Sequence, residues 1–269
     1  MALGEQVGPR AKYNVYGVAA DTSLPDLVEI MAERGVRRLR VYTGPGYGYV
    51  TIRDVVRTID TVRDPGKLAN VKAFLVRLVY PPRIAPSTSI LESVRVMRRS
   101  NTDFVEVEAG DSVGIFTVTD VLEAIEPGEL RVPAILAMTQ SYPRVDADSE
   151  LIDVVHSMRV YGVDAVLVVR GDELVGMVDS RRLAEALAHE GFEALYRPVY
   201  REAERVRCVV SSETMLWEAS HMMSKTRSSI CIVIVRGYLA GVIDEEIILD
   251  NIQGKPSGIR VLVAPPMRK

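Results

Sequence analysis

Two cysteines, three histidines and one tryptophan are all that the 269 residues contain of those types. Cys208 and Cys231 lack metal-ligand spacing, and a disulfide framework would need more of them, so the expected setting is a reducing cytoplasm. His156, His189 and His221 lie far apart without the spacing of a metal motif, so no metal centre is expected. Long apolar runs are missing too: none approaches the length that spans a bilayer, and the N-terminus shows no signal-peptide pattern. Charge of one sign is not in excess. A formal net charge of −3 gives no electrostatic case for nucleic acid. Asn and Gln together number seven, while Arg supplies 27 of the 33 basic residues. Few thermolabile amides suit a protein built for heat. No nucleophile elbow, kinase signature or coherent acid–base pair occurs, so no catalytic residue is expected.

What the chain does contain is an apolar share of 48%, enough to bury a good core, and an internal repeat. Gly48-Tyr49-Val50-Thr51-Ile52-Arg53-Asp54 returns 66 positions later as Gly114-Ile115-Phe116-Thr117-Val118-Thr119-Asp120. Two looser copies start at Gly176 and Gly241. Upstream of each lies an amphipathic helical stripe. Leu24, Leu27, Val28 and Met31 match Leu151, Val154, Val155 and Met158 at i, i+3, i+4 and i+7. Ile90, Val94 and Met97 make the second stripe, and Met215, Ala219 and Met222 are expected to make the fourth. The methionines read as core filler.

An apolar strand follows each helix, then a turn, a second strand carrying the motif, and a further helix. The glycine-rich run Gly44-Pro45-Gly46-Tyr47-Gly48 lacks the Lys-Ser/Thr of a P-loop and precedes a strand, so it reads as a hairpin turn. Residues 10–62, 75–126, 133–190 and 198–253 are the expected repeats. Residues 126–133 form the linker between halves, 188–198 join repeats three and four, and 254–269 make a C-terminal tail. A unit of this size buries little surface alone, and a partner repeat can cover it.

The order of elements, the helix ending in Met and the Gly-x-x-Thr-x-x-Asp step resemble the CBS-domain family over about residues 10–252. That resemblance implies an α+β fold of four CBS repeats in two tandem pairs, or Bateman modules. Four copies are similar to the gamma regulatory subunit of AMP-activated protein kinase and to archaeal four-repeat proteins. It implies a non-enzymatic, cytoplasmic regulatory protein that binds AMP, ADP or ATP in the cleft of the first pair. Its partners would be the nucleotide and either a regulated protein or a second copy of the chain, with neither nucleic acid nor membrane. S-adenosylmethionine also fits a ribose-binding Asp, and a scaffold with empty clefts is the rival from another class.

Thr51 and Asp54, like Thr117 and Asp120, have the spacing of a capping box: Thr at the N-cap and Asp at N3. In the family reading, the Asp carboxylate accepts hydrogen bonds from both ribose hydroxyls, and the Thr hydroxyl donates to ribose or phosphate. Asp179 and Asp244 stand in the Thr place of the later copies. Both are good caps, yet each would repel a phosphate. Arg182 and Ile247, in the Asp place, cannot accept ribose hydroxyls. Binding is therefore expected in the first half. Arg37 matches the place of a phosphate-binding basic residue, where the other repeats hold Asp103, Asp164 and Ser229. The resemblance also puts Pro81, Pro82 and Arg83 beside Asp54, and Tyr16, Gly17 and Val18 beside Asp120. Arg181 and Arg182 open a helix, where they could meet an anion or face water, and water is the expectation.

Overall fold

The computed structural model describes residues 2–255, so the tail expected at 254–269 lies outside it beyond Lys255. Within those residues the four copies share one order of elements. Repeat one comprises β1 (Gly17–Ala19), α1 (Leu24–Arg34), β2 (Arg38–Thr43), β3 (Gly46–Thr51) and α2 (Ile52–Val62), followed by a short helix α3 (Pro65–Leu68). Repeat two comprises β4 (Arg83–Ile84), α4 (Ile90–Arg99), β5 (Phe104–Ala109), β6 (Ser112–Thr117) and α5 (Val118–Ala124), followed by α6 (Ala134–Ala137). Repeat three comprises β7 (Arg144–Asp146), α7 (Leu151–Tyr161), β8 (Ala165–Arg170), β9 (Glu173–Asp179) and α8 (Ser180–Glu190). Repeat four comprises β10 (Val209–Ser211), α9 (Leu216–Thr226), β11 (Ile230–Val235), β12 (Tyr238–Asp244) and α10 (Glu245–Ile252). This is the expected α+β architecture.

Local chemistry sets the element ends. The hydroxyls of Ser23 and Ser89 accept the N–H groups of Asp26 and Glu92 and so start α1 and α4. Gly35 and Gly162 close α1 and α7 with φ of 60° and 65°, where glycine avoids the Cβ penalty. In each repeat the first strand runs parallel to the second and the second antiparallel to the third. The antiparallel pair closes through a two-residue loop. Gly44-Pro45 is one, so the glycine-rich run is the expected hairpin turn.

Each repeat borrows a fourth strand-like contact from the segment that leads into another repeat. Tyr49 and Val79 exchange two backbone hydrogen bonds of 2.8 Å, and Lys12 and Ile115 exchange two of 2.9 Å. Met177 pairs with Glu204 and Thr139 with Val242 in the same way. Repeat one thus receives the lead of repeat two, and repeat two the lead of repeat one. Repeats three and four make the same exchange, as two tandem pairs require. The exchange also explains why every motif begins with glycine. A Cβ on Gly48 would lie 3.0 Å from Leu78 Cβ, on Gly114 3.0 Å from Lys12 O, on Gly176 2.5 Å from Glu204 O, and on Gly241 2.7 Å from Thr139 O. The incoming segment leaves no room for a side chain.

The chain divides into two compact units. One contains residues 2–15, 81–141 and 206–255, hence repeats two and four; the other contains 16–80 and 142–205, hence repeats one and three. In the second of these, α1 packs on α8 and α2 on α7; in the first, α5 packs on α9. Helical stripes supply the cores. Leu24, Leu27, Val28 and Met31 are buried, as are Ile90, Ser93, Val94 and Met97.

Two expectations are corrected here. The fourth stripe is Leu216, Ala219, Ser220 and Met223, one register on from the expected Met215 and Met222, which are only partly buried. Ser220 occupies an apolar place by returning its hydroxyl to Trp217 O at 2.7 Å, as Ser93 does to Ile90 O at 2.6 Å. The cysteines are not two separate thiols: Cys208 and Cys231 form a disulfide. Val209 pairs with Ile232 in the parallel β10–β11 ladder, so the residues just before them stand opposite each other on neighbouring strands. Among the described residues no helix is long and apolar enough to cross a membrane.

Candidate functional site

Strand β3 ends at Thr51 because the chain turns there into α2, and the turn is held by side chains. Thr51 N–H and Thr51 Oγ1 both donate to Asp54 Oδ2, at 3.3 and 2.5 Å, while Asp54 N–H returns to Thr51 Oγ1. In repeat two, Thr117 N–H and Oγ1 donate to Asp120 Oδ2 at 2.8 and 2.7 Å. Both carboxylates are 3% exposed, so the expected capping box is present and buried.

Capping uses only one oxygen of each carboxylate. Asp54 Oδ1 faces the Arg77 guanidinium at 3.7 Å, and Asp120 Oδ1 faces Lys12 Nζ at 2.8 Å. The helix cap and a ligand role therefore need not compete. Burial, the largest influence, pushes the Asp54 carboxyl above its ordinary range despite opposing help from Thr51 and Arg77.

Arg77 and Lys12 were not legible as partners of these residues, because both lie on the exchanged lead segments. The backbone pairings give the register. Val79, Lys12, Thr139 and Glu204 are equivalent, so Arg77 corresponds to Glu202 in repeat three and to Ala137 in repeat four. In repeat two the cation comes from the paired residue Lys12 itself, and Arg10 binds Glu5 at 3.1 Å.

The later copies fill the same places differently. In repeat three, Asp179 Oδ1 accepts Arg182 N–H at 2.7 Å, which starts α8, and Arg182 Nη2 binds Glu202 at 2.8 Å. The pair has the same location as Arg77 and Asp54 with its signs reversed. Arg181 joins Glu185 and Glu204 at 2.7 and 3.1 Å. The expectation that Arg181 and Arg182 face water is thus corrected: the returning segment brings two carboxylates to them. Burial, above all, raises the Asp179 carboxyl, against the pull of Arg182 N–H and nearby arginines. In repeat four, Asp244 Oδ1 caps Ile247 N–H at 2.8 Å, and Ile247 and Ala137 hold the two equivalent places, both buried and apolar.

Arg37 faces Asp164 at 3.5 Å, the residue holding its own place in repeat three. Arg53 grips the same carboxylate with two bonds of 3.1 and 2.9 Å. The arginine expected at a phosphate is engaged in a part-buried ion cluster. Among the adenine-contact candidates, Pro82 O accepts Glu106 N–H at 2.9 Å and Arg83 binds Glu106 at 2.8 Å, in the unit that contains Asp120. Gly17 and Val18 pair with Arg40 and Val41 in β1–β2, in the unit that contains Asp54. Gly17 is tight, since a Cβ there would lie 2.6 Å from the Tyr42 ring. His156 is bound to Asp60 at 3.2 Å, and His221 to Ile125 O at 2.6 Å. No group of three or more potential metal ligands occurs among the described residues.

Four repeated strand–helix–strand–strand–helix units, two of them with a capped Thr–Asp step, define a class of tandem-repeat α+β modules. The CBS domain family matches residues 11–61, 78–127 and 132–189, together more than half of the chain. The chain belongs to the CBS-domain family. Repeat four, beyond those matches, keeps the fold while replacing the Thr and Asp. A Methanocaldococcus jannaschii protein described as a proposed archaeal homologue of g-AMPK has a similar structure, with a TM-score of 0.77 and 16% identity over 91% of this chain and 99% of that one. An uncharacterised conserved protein from Pyrococcus horikoshii aligns with a TM-score of 0.59 and 17% identity over 89% and 96%. At these identities the likeness is one of fold. A comparison with curated protein sequences finds no match.

Proposed function

We propose that this protein is a non-enzymatic regulatory sensor of adenine nucleotides, AMP, ADP or ATP, in which Asp54 and Asp120 are each the ribose acceptor of their own repeat. The observation that carries this reading is the division of labour within each carboxylate. Oδ2 caps a helix, whereas Oδ1 is left to a solvent-exposed side chain that a ligand can replace. A carboxylate oxygen is a suitable acceptor for ribose hydroxyls. Thr51 and Thr117 are held in place beside it by the same cap. The description of the Methanocaldococcus protein as a g-AMPK homologue agrees with a nucleotide-dependent regulatory role.

A ligand acts on such a protein only through unequal affinity for two conformations, which a protein partner or a second copy would read. Repeats three and four support a structural role for the second half, since ion pairs and apolar residues fill the equivalent places. Isothermal titration with AMP, ADP, ATP and S-adenosylmethionine tests the reading. Binding of a nucleotide by the wild type and its loss in the Asp54→Ala, Asp120→Ala double variant is expected. Binding of S-adenosylmethionine alone would replace the nucleotide with another adenosyl signal. Heat from none of the four would leave the scaffold.

A further inference from the structure

We infer that Arg77 and Lys12 are ligand-responsive cations: each rests on the free oxygen of a motif carboxylate until a ribose takes that oxygen, and then pairs with an anionic group of the same ligand. This rests on the nucleotide reading above and deepens it, because it selects a nucleoside phosphate over a neutral nucleoside or a sulfonium compound.

The asymmetry of the two ion pairs is the first support. The carboxylate ends are fixed, with Asp54 and Asp120 each 3% exposed and tied through Oδ2 to the helix start. The cation ends are loose: the Arg77 and Lys12 side chains are 59% and 58% exposed. An exposed cation on a long stem gains little from its pair and can swing away at small cost. A buried carboxylate cannot be left bare. Two ribose hydroxyls satisfy it without a second full charge, provided that the displaced cation finds another anion nearby.

The equivalent places in the second half are the second support. Arg182 and Glu202 are 30% and 7% exposed as a pair, and Arg182 also approaches Glu185 and Glu204, so neither end is loose. Ile247 and Ala137 carry no charge at all. At this place the two copies that keep both Thr and Asp combine a buried carboxylate with a solvent-facing cation, and the other two do not. Neither Arg77 nor Lys12 is part of the repeated motif; they reach it only because the lead segments are exchanged. A ligand bearing its own positive charge would meet a like charge at both places.

The test is titration of the full chain with AMP and with adenosine, on wild type and on Arg77→Gln, Lys12→Gln and the double variant. The wild type is expected to prefer AMP. The double variant should lose about tenfold in AMP affinity, the scale of one charge-assisted contact to phosphate. Its affinity for adenosine should hold or rise, because the competitor for Oδ1 has gone. The conservative pair Arg77→Lys and Lys12→Arg should keep the preference for AMP. Equal change for both ligands, or none for AMP, would overturn the inference while leaving nucleotide binding in place. A wild type that binds neither ligand would overturn the nucleotide reading and this inference together.

Discussion

Arg182 and Glu202 form at 2.8 Å, in repeat three, the ion pair that Asp54 and Arg77 form in repeat one with the charges exchanged. One backbone frame thus carries the same contact in opposite signs. Because Glu202 is buried, Arg182→Ala would strand a charge and should cost about 3 kcal/mol in a denaturant titration. The doubly exchanged variant, Arg182→Asp with Glu202→Arg, should recover most of that loss. Equal instability of the single and double variants would show that the pair is not the source.

The Thr–Asp cap has a stability role separate from any ligand. Thr51→Ala removes the hydroxyl that both receives Asp54 N–H and donates to its carboxylate. A lost cap should lower stability by about 1 kcal/mol. Chemical denaturation in the absence of nucleotide measures this directly, and an unchanged midpoint would contradict the cap.

Asp54 and Asp60 should respond to pH with opposite signs. Burial is the largest influence on Asp60 and pushes its carboxyl up, but hydrogen bonds from Arg63, Arg159 and His156 together hold it below its ordinary range. Its contribution is therefore present above about pH 4, the unfolded value, and is lost as pH falls through the lower folded value. Asp60→Asn should flatten this acid limb. Asp54, raised mainly by burial, binds its proton more tightly when folded, so its contribution falls as pH rises through the carboxylate range. Asp54→Asn should then be at least as stable as the wild type at neutral pH, with the difference vanishing in acid. Denaturation midpoints across pH would reveal either sign as wrong.

The disulfide should stabilise repeat four mainly by restricting the unfolded chain. Cys208 and Cys231 are separated by 23 positions, for which the chain-entropy argument gives about 3 kcal/mol. Reductant, or Cys208→Ala with Cys231→Ala, should lower the thermal midpoint. The same midpoint with and without reductant, in protein shown by mass to be oxidised at the start, would count against that contribution.

Much of this was written locally in the sequence. The repeated Gly-x-x-Thr-x-x-Asp step located strand ends and helix caps, because capping acts over three residues. Three of the four stripes emerged from spacing alone. The fourth was misplaced by one position since Ser220 holds an apolar site and the adjacent Met222 and Met223 blur the phase. What the sequence did not show depends on exchanged segments and strand register. Arg77 lies 23 positions from Asp54, and Lys12 over a hundred from Asp120, so no local pattern links them. The same holds for Arg182 with Glu202, and for the two cysteines, which meet only because β10 and β11 align in parallel.

Asp54 and Asp120 are each proposed to bind a nucleotide, a role that the equivalent places in repeats three and four lack. AMP titration of the wild type, the Asp54→Ala, Asp120→Ala double variant and Arg182→Ala tests it most directly. Binding is expected in the wild type and in Arg182→Ala, and none in the double variant. Undiminished binding in a folded double variant, or its loss on Arg182→Ala alone, would contradict it.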